Sequence, residues 1–111
     1  MRVSSYINDV SYLLSSSLSL KILLAIEILN LATPTLIAKA IKCSPSNVST
    51  KLIELRKKGL AICVTPERKK GRIYKLTKKG KIVVSYFDDV KNSINVEWYN
   101  LRYDKSKMER I

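Results

Sequence analysis

Two neighbouring segments of the 111-residue sequence begin with a hydroxyl residue followed by proline, at Thr33-Pro34 and at Ser44-Pro45. A hydroxyl at a helix N-cap accepts a hydrogen bond from the first turn, and proline fits the first helical position because its missing N–H needs no partner. We therefore predict one helix over residues 34–42 and a second from Pro45 to the glycine stop at Gly59. The turn around Cys43 between them has helix-turn-helix length. The predicted inward residues of the first helix are Leu36, Ile37, Ala40 and Ile41.

The helix that begins at Pro45 has two chemically different sides. Val48, Leu52 and Leu55 fall within one stripe and are predicted to face the core. The opposite side and its flanks carry small polar or basic side chains, except for Glu54, which is expected on a flank or paired with Lys57 or Lys58. Such a surface permits close approach by another molecule. The candidate contact residues are Ser46, Asn47, Ser49, Thr50, Lys51 and Lys57.

A basic hairpin is predicted after Gly59. Residues 60–64 and 73–76 alternate as half-buried strands do, and the loop between them, residues 65–72, contains Pro66 and Gly71. The tip of this loop carries Arg68, Lys69, Lys70 and Arg72.

Apolar spacing predicts further helices on both sides of this unit. A buried central helix, starting at Ser17 or Ser19, carries Leu20, Leu23, Leu24, Ile28 and Leu31, and Thr77 caps a helix containing Ile82, Val83, Tyr86 and Phe87. Two terminal helices, residues 1–16 and 93–111, bear apolar stripes that such a core does not need. The stripes comprise Val3, Ile7, Val10 and Leu14 at one end, and Ile94, Trp98, Leu101 and Met108 at the other.

The positive charge is concentrated in the middle of the chain. Residues 39–81 contain 14 of the 21 basic residues against Glu54 and Glu67, and so account for the whole net charge of +12. This segregation builds a surface that attracts polyanions, with nucleic acid as the leading partner. Lys39, Lys42 and Lys78 are candidate phosphate contacts.

Several functional classes are excluded by what the sequence contains. Histidine is absent, which removes imidazole bases and His-containing zinc sites, and the adjacent Asp88 and Asp89 diverge on a helix. We therefore expect no enzyme activity, metal or cofactor. Cys43 and Cys63 form no CxxC pair and are predicted to be packing residues. The longest apolar stretch is interrupted by charged residues, so neither a membrane span nor secretion is expected.

Two stretches resemble a known family. Residues 44–61, SPSNVSTKLIELRKKGLA, look like the recognition helix and glycine stop of MarR-type and ArsR-type regulators. Residues 71–81, GRIYKLTKKGK, are similar to the second wing strand and following helix start of the same families. With the helices before them, the resemblance covers residues 18–90. It implies an α+β, mostly α winged helix-turn-helix domain, with a three-helix core, a two-stranded wing and additional terminal helices.

The resemblance also implies a function. The protein would be a cytoplasmic, nucleoid-associated homodimer that binds double-stranded DNA. Its recognition helix would lie in the major groove, and its wing would contact phosphates or enter the minor groove. It would act as a transcription regulator, with repression the expected mode. The terminal helices would form the dimer. The alternatives are an architectural or DNA-segregation protein with the same fold, and a winged helix used for protein contacts. The target sequence and any effector stay open. Abundant Lys and Ile without Gln or His favour an archaeal source, or an archaeal virus or plasmid.

Overall fold

The computed structural model describes residues 6–87, which form five α-helices and a two-stranded antiparallel sheet. In chain order the elements are α1 (Ile7–Ser15), α2 (Ser17–Leu29), α3 (Pro34–Ile41), α4 (Pro45–Lys57), β1 (Ala61–Cys63), β2 (Tyr74–Leu76) and α5 (Lys78–Ser85). The central helix α2 contacts α1, α3, α4, α5 and β2, so the other elements are arranged around it.

The predicted central helix is confirmed, and it begins at Ser17, one of the two predicted starts, with Ser16 as its N-cap. Ser19, the other predicted start, is fully buried inside the helix. The C-terminal end differs from the prediction. The helix ends at Leu29, because Asn30 adopts a positive φ of 73° and reverses the chain. Leu31, predicted to be a core residue, consequently lies beyond the helix and is 51% exposed.

The two capped helices form as predicted. The Thr33 hydroxyl accepts a hydrogen bond from the Leu36 amide at 3.2 Å, and the Ser44 hydroxyl accepts one from the Asn47 amide at 3.3 Å. The prediction that Leu36 points inward is wrong. Its side chain is about half exposed, because the 100° step between helical residues places Ala38 on the buried side instead. The predicted inward stripe of α4, Val48, Leu52 and Leu55, is fully buried.

The predicted hairpin forms the wing. Strands β1 and β2 pair in antiparallel register with Ile62 opposite Lys75, and these two side chains point outward while their neighbours on each strand are buried. Ala32, in the turn before α3, exchanges two backbone hydrogen bonds with Tyr74, at 3.1 and 2.8 Å. This bridge fixes the wing against the start of the helix-turn-helix unit.

The start of α5 is held against the end of α4 by Thr77 and Gly80. The Thr77 hydroxyl accepts a hydrogen bond from the Gly80 amide and donates one to the Gly59 carbonyl at 2.6 Å. A Cβ atom on Gly80 would lie only 2.1 Å from the carbonyl oxygen of Leu60, so this position requires glycine. The helix ends at Ser85, earlier than predicted, and Tyr86 beyond it is exposed.

The N-terminal helix packs on the same core, through a residue outside the predicted stripe. Leu13 is fully buried, whereas Ile7 and Leu14 are 50% and 70% exposed and Val10 is half-buried. Val3 and the predicted helix over residues 93–111, with Ile94, Trp98, Leu101 and Met108, lie outside the described residues.

The cysteine prediction is confirmed, since Cys63 is buried, Cys43 is half-buried and both are free thiols. No single described helix is long and apolar enough to span a membrane. Helices α1 and α2 reach that length and apolarity only as a pair bent by 110°, and α2 is largely buried in the core.

Candidate nucleic-acid interface

The outer side of α4 presents the predicted contact residues to solvent. Ser46, Asn47, Ser49, Thr50 and Lys57 are all exposed. The Thr50 hydroxyl donates to the Ser46 carbonyl at 3.0 Å, which leaves its oxygen free to act as an acceptor. With the inward stripe fully buried, this polar side is the part of α4 that another molecule can reach.

A groove of about 490 Å³ runs between α4 and the wing. It brings the predicted Ser49 together with the predicted wing residues Lys69, Lys70 and Arg72. The remaining lining residues, which sequence reasoning did not select as contacts, are Thr33, Pro34, Thr35, Pro45, Ile53, Arg56, Gly71 and Tyr74.

The flank of α4 that faces the groove carries Ser49, Ile53 and Arg56. These residues recur at spacings of four and three, so they lie on one side of the helix. Ile53 is 52% exposed and is the apolar member of this flank. The spacing was visible in the sequence, but which flank faces the wing depends on the tertiary placement of the hairpin.

The charged side chains that line the groove have one sign. Arg56, Lys69, Lys70 and Arg72 contribute four positive charges, and none of the described lining residues is acidic. The groove therefore has a positive potential along both walls.

The wing loop is held in shape by its own hydrogen bonds. The Thr65 hydroxyl accepts from the Ile73 amide at 2.9 Å, and Arg72 Nε donates to the Arg68 carbonyl at 2.5 Å. Arg68 in turn donates to the carbonyl of Gly71, which has a φ of 64°. Both arginines thus use part of their donor capacity within the loop, while Lys69 and Lys70 are exposed at its tip.

The opposite flank of α4 faces α1 and carries Lys51 and Glu54. The Tyr12 hydroxyl on α1 donates to Glu54 Oε1 at 2.7 Å, and Lys51 Nζ lies 3.5 Å from Glu54 Oε2. Glu54 therefore lies on a flank of the helix, which is one of the two expected alternatives, and its partners are Tyr12 and Lys51 rather than Lys57 or Lys58. Lys58 Nζ lies 4.3 Å from the centre of the Tyr12 ring. The hydrogen bond from Tyr12 holds the pKa of Glu54 below its ordinary value, and burial raises the pKa of Tyr12.

The three lysines predicted as phosphate contacts are exposed but do not line the groove. Lys39 lies on α3, Lys42 ends α3 with a φ of 57°, and Lys78 is the first residue of α5. The next residue, Lys79, makes a structural contact instead. Its ammonium lies 3.0 Å from the Lys58 carbonyl and 3.2 Å from Asp9 Oδ2, and so connects α5 with α4 and α1.

Similarity to known proteins is visible in the structure. No protein-family model matches the sequence, and the search of curated proteins gave no match. The structure is similar to the reduced form of MarR from E. coli, with a TM-score of 0.62 and 18% identity over 95% of this chain and 85% of that chain. A mutant of the same protein gives a TM-score of 0.61 and 20% identity over 97% and 96% of the two chains.

A mutant of MepR from S. aureus is also similar, with a TM-score of 0.50 and 19% identity over 99% of this chain and 98% of that chain. At these identities the likeness shows the fold. The predicted winged-helix fold, mostly α with a two-stranded wing, is confirmed.

Proposed function

We propose that this chain is a transcription regulator that binds double-stranded DNA through α4 and the wing. The observation that carries the proposal is the groove between them, whose two walls supply four positive charges and no acidic side chain among the described lining residues. An α-helix fits the major groove of B-DNA, and small polar side chains on its outer side permit close approach to base edges. The fold likeness to MarR and MepR agrees with this proposal.

In this arrangement the outer side of α4 reads bases and the wing contacts the backbone. Asn47 would pair with adenine N6 and N7, while Ser46, Ser49 and Thr50 would act as donors or acceptors. Exposed Ile53 supplies the apolar contact that a thymine methyl group favours. Arg56, Lys57, Lys69 and Lys70 contact phosphates, and Arg68 and Arg72 reach phosphates or the minor groove. Lys39, Lys42 and Lys78 add phosphate contacts at the edges.

We propose further that the protein acts as a homodimer and as a repressor. Ile7 and Leu14 expose apolar side chains on α1, next to half-buried Val10. A second copy would cover them, together with Val3 and the stripe Ile94, Trp98, Leu101 and Met108, which stay predictions. A twofold axis would then present two copies of α4 to half-sites about one helical turn, ~10 base pairs, or a multiple apart. A dimer bound within a promoter blocks transcription by occupying it.

The test begins with selection of bound fragments from random duplex DNA, followed by footprinting on the preferred sequence. We expect a pseudo-palindrome protected as isolated half-sites. Asn47→Ala or Thr50→Ala should then weaken binding to that sequence by about 1 to 3 kcal/mol, and should weaken binding to scrambled duplex less. Equal losses on both duplexes would contradict base reading by α4.

The same experiment separates regulation from DNA packaging. Continuous protection that spreads with DNA length would favour an architectural role. A monomeric mass at micromolar concentration, together with an asymmetric footprint over a single site, would contradict the dimer. Replacing exposed Leu14 with Glu should weaken self-association, whereas Leu36→Glu on α3 serves as the matched control at another exposed leucine.

A further inference from the structure

One acidic side chain interrupts the basic and polar surface of α4. Glu54 is the single acidic residue among Pro45–Lys57, and it lies four residues after Thr50 and seven after Asn47. That spacing places it on the flank adjoining the residues proposed to contact bases. Its side chain is 42% exposed. A carboxylate free to turn outward from this position would repel the DNA phosphates.

One carboxylate oxygen of Glu54 is instead bonded to α1, and the other is contacted by Lys51 on the same flank of α4. Oε1 accepts the Tyr12 hydroxyl hydrogen at 2.7 Å, and Lys51 Nζ lies 3.5 Å from Oε2. The Tyr12 ring, which extends from α1, also contacts the ammonium of Lys58, which lies 4.3 Å from the ring centre. This network holds the carboxylate on the side of α4 that faces away from the wing groove.

The hydroxyl groups of Ser16, Ser19 and Tyr12 form a chain of hydrogen bonds in which all donations run the same way. Ser16 donates to the fully buried Ser19 at 2.9 Å, and Ser19 and Tyr12 are bonded at 2.8 Å. Each hydroxyl has one hydrogen, so the donation of Tyr12 to Glu54 requires Ser19 to donate to Tyr12. The chain therefore runs Ser16, Ser19, Tyr12, Glu54, and each donation polarises the next. It ends on a carboxylate whose pKa is lowered, as expected for an acceptor held in its charged form.

We infer that Tyr12 is a positioning residue for DNA binding, which holds the Glu54 carboxylate against α1 and away from DNA phosphates. The inference rests on the proposed function. Tyr12 touches no DNA in this arrangement and acts through Glu54. Without its hydroxyl, the carboxylate keeps only the long contact with Lys51 and can turn toward the outer side of α4.

The test is a double-mutant cycle with Tyr12→Phe, Glu54→Gln and the double variant, each titrated with labelled duplex DNA at fixed salt. Tyr12→Phe should weaken binding about 2- to 10-fold, the change in equilibrium constant that one hydrogen bond of ordinary net strength represents. Glu54→Gln should bind at least as tightly as the unaltered protein. In the Glu54→Gln background, Tyr12→Phe should cause no further loss, because no carboxylate remains to be restrained.

Tyr6→Phe is the matched control, since Tyr6 precedes the same helix and its hydroxyl makes no side-chain hydrogen bond within residues 6–87. It should bind as the unaltered protein does. Thermal unfolding of each variant separates loss of fold from loss of affinity. A purely structural role for Tyr12 predicts the same loss of binding in both backgrounds, and that result would overturn the inference.

Two other results would also overturn it. Unchanged affinity of Tyr12→Phe would show that the hydroxyl has no influence on binding. Weaker binding by Glu54→Gln would show that the carboxylate itself contacts DNA, for example by accepting from cytosine N4. If the unaltered protein binds duplex DNA, these results remove the inference alone. Absence of duplex binding by the unaltered protein would remove the proposed function together with it.

Discussion

Replacement of Gly80 by alanine should destabilise the domain, although intrinsic helix propensity predicts the opposite. Gly80 lies in the first turn of α5, where alanine is favoured over glycine by about 1 kcal/mol in an exposed helix. In the folded protein, however, the added Cβ would lie 2.1 Å from the Leu60 carbonyl oxygen. The neighbouring atom is backbone, so it cannot rotate away as a side chain would.

The size of the stability loss in Gly80→Ala follows from the contacts that the added Cβ would displace. Relief of the clash needs a shift of about 1 Å between α5 and Leu60, and overpacking of this kind costs about 1 to 3 kcal/mol. The shift also disturbs the bond from the Thr77 amide to the Leu60 carbonyl, at 3.2 Å, and that from the Thr77 hydroxyl to the Gly59 carbonyl, at 2.6 Å. Each is worth about 1 kcal/mol. After the propensity gain, the net loss is about 2 to 4 kcal/mol, or roughly 10 °C or more in Tm.

Thermal and urea unfolding followed by far-UV circular dichroism measure this loss. Gly71→Ala is the matched control, because Gly71 has a φ of 64° but nothing within 4 Å of an added Cβ. Its cost should be limited to backbone strain of about 1 to 2 kcal/mol at the wing tip. A Gly80→Ala variant with unchanged or higher Tm would refute the argument that close approach of α5 to Leu60 determines this residue.

Three further changes test other parts of the fold. Leu13→Ala should lower the free energy of unfolding by about 2 to 5 kcal/mol, because it leaves a cavity at a fully buried site. Leu31→Ala, at an exposed leucine, is the control and should cost well under half as much in the same urea titration. Ser44→Ala removes the cap of α4 and should cost about 1 kcal/mol, whereas Ser44→Asp, which can still cap, should restore most of it. The pKa of Glu54 is lower in the folded protein than its ordinary value of 4.5, so this group stabilises the fold above pH 4.5 and ceases to do so as the pH falls through its folded-state pKa. The stability of Glu54→Gln should therefore fall less steeply with decreasing pH in this acidic range. An identical fall in both proteins would contradict the assigned hydrogen bond from Tyr12.

The features that could be predicted from the sequence are those determined by local chemistry. Thr33 and Ser44 could be predicted as caps because each bond joins a hydroxyl to an amide only three residues further along the chain, so both partners are local in the sequence. The inward stripe of α4 follows from helical periodicity in the same way. Leu36 shows the limit of that argument, because hydrophobicity alone does not reveal that the buried arc of α3 is centred on Ile37 and Ile41.

The features that could not be predicted depend on contacts between distant residues. Tyr12 and Glu54 are separated by 42 positions, and no local pattern indicates that they meet. The contribution of Arg56 and Ile53 to the groove likewise depends on where the wing lies relative to α4. Gly80 is conspicuous in the sequence as a glycine inside a helix, but its reason, the carbonyl of Leu60, is visible only in three dimensions.

The central claim, that DNA phosphates occupy the groove between α4 and the wing, is tested most directly by the salt dependence of duplex binding. Lys69 and Lys70 line this groove, whereas Lys75 and Lys81 line a separate cavity with Glu27 and Asn30. Two double variants therefore remove the same charge from two different surfaces: Lys69→Ala with Lys70→Ala from the groove, and Lys75→Ala with Lys81→Ala from the separate cavity.

We predict a steep fall of log affinity with log salt for the unaltered protein. The slope should be shallower by about 1.8 for the Lys69/Lys70 variant, since each lost phosphate contact removes about 0.9, and nearly unchanged for the Lys75/Lys81 variant. A flat slope for the unaltered protein, or equal reductions in both variants, would contradict the assignment of the groove as the DNA-binding surface.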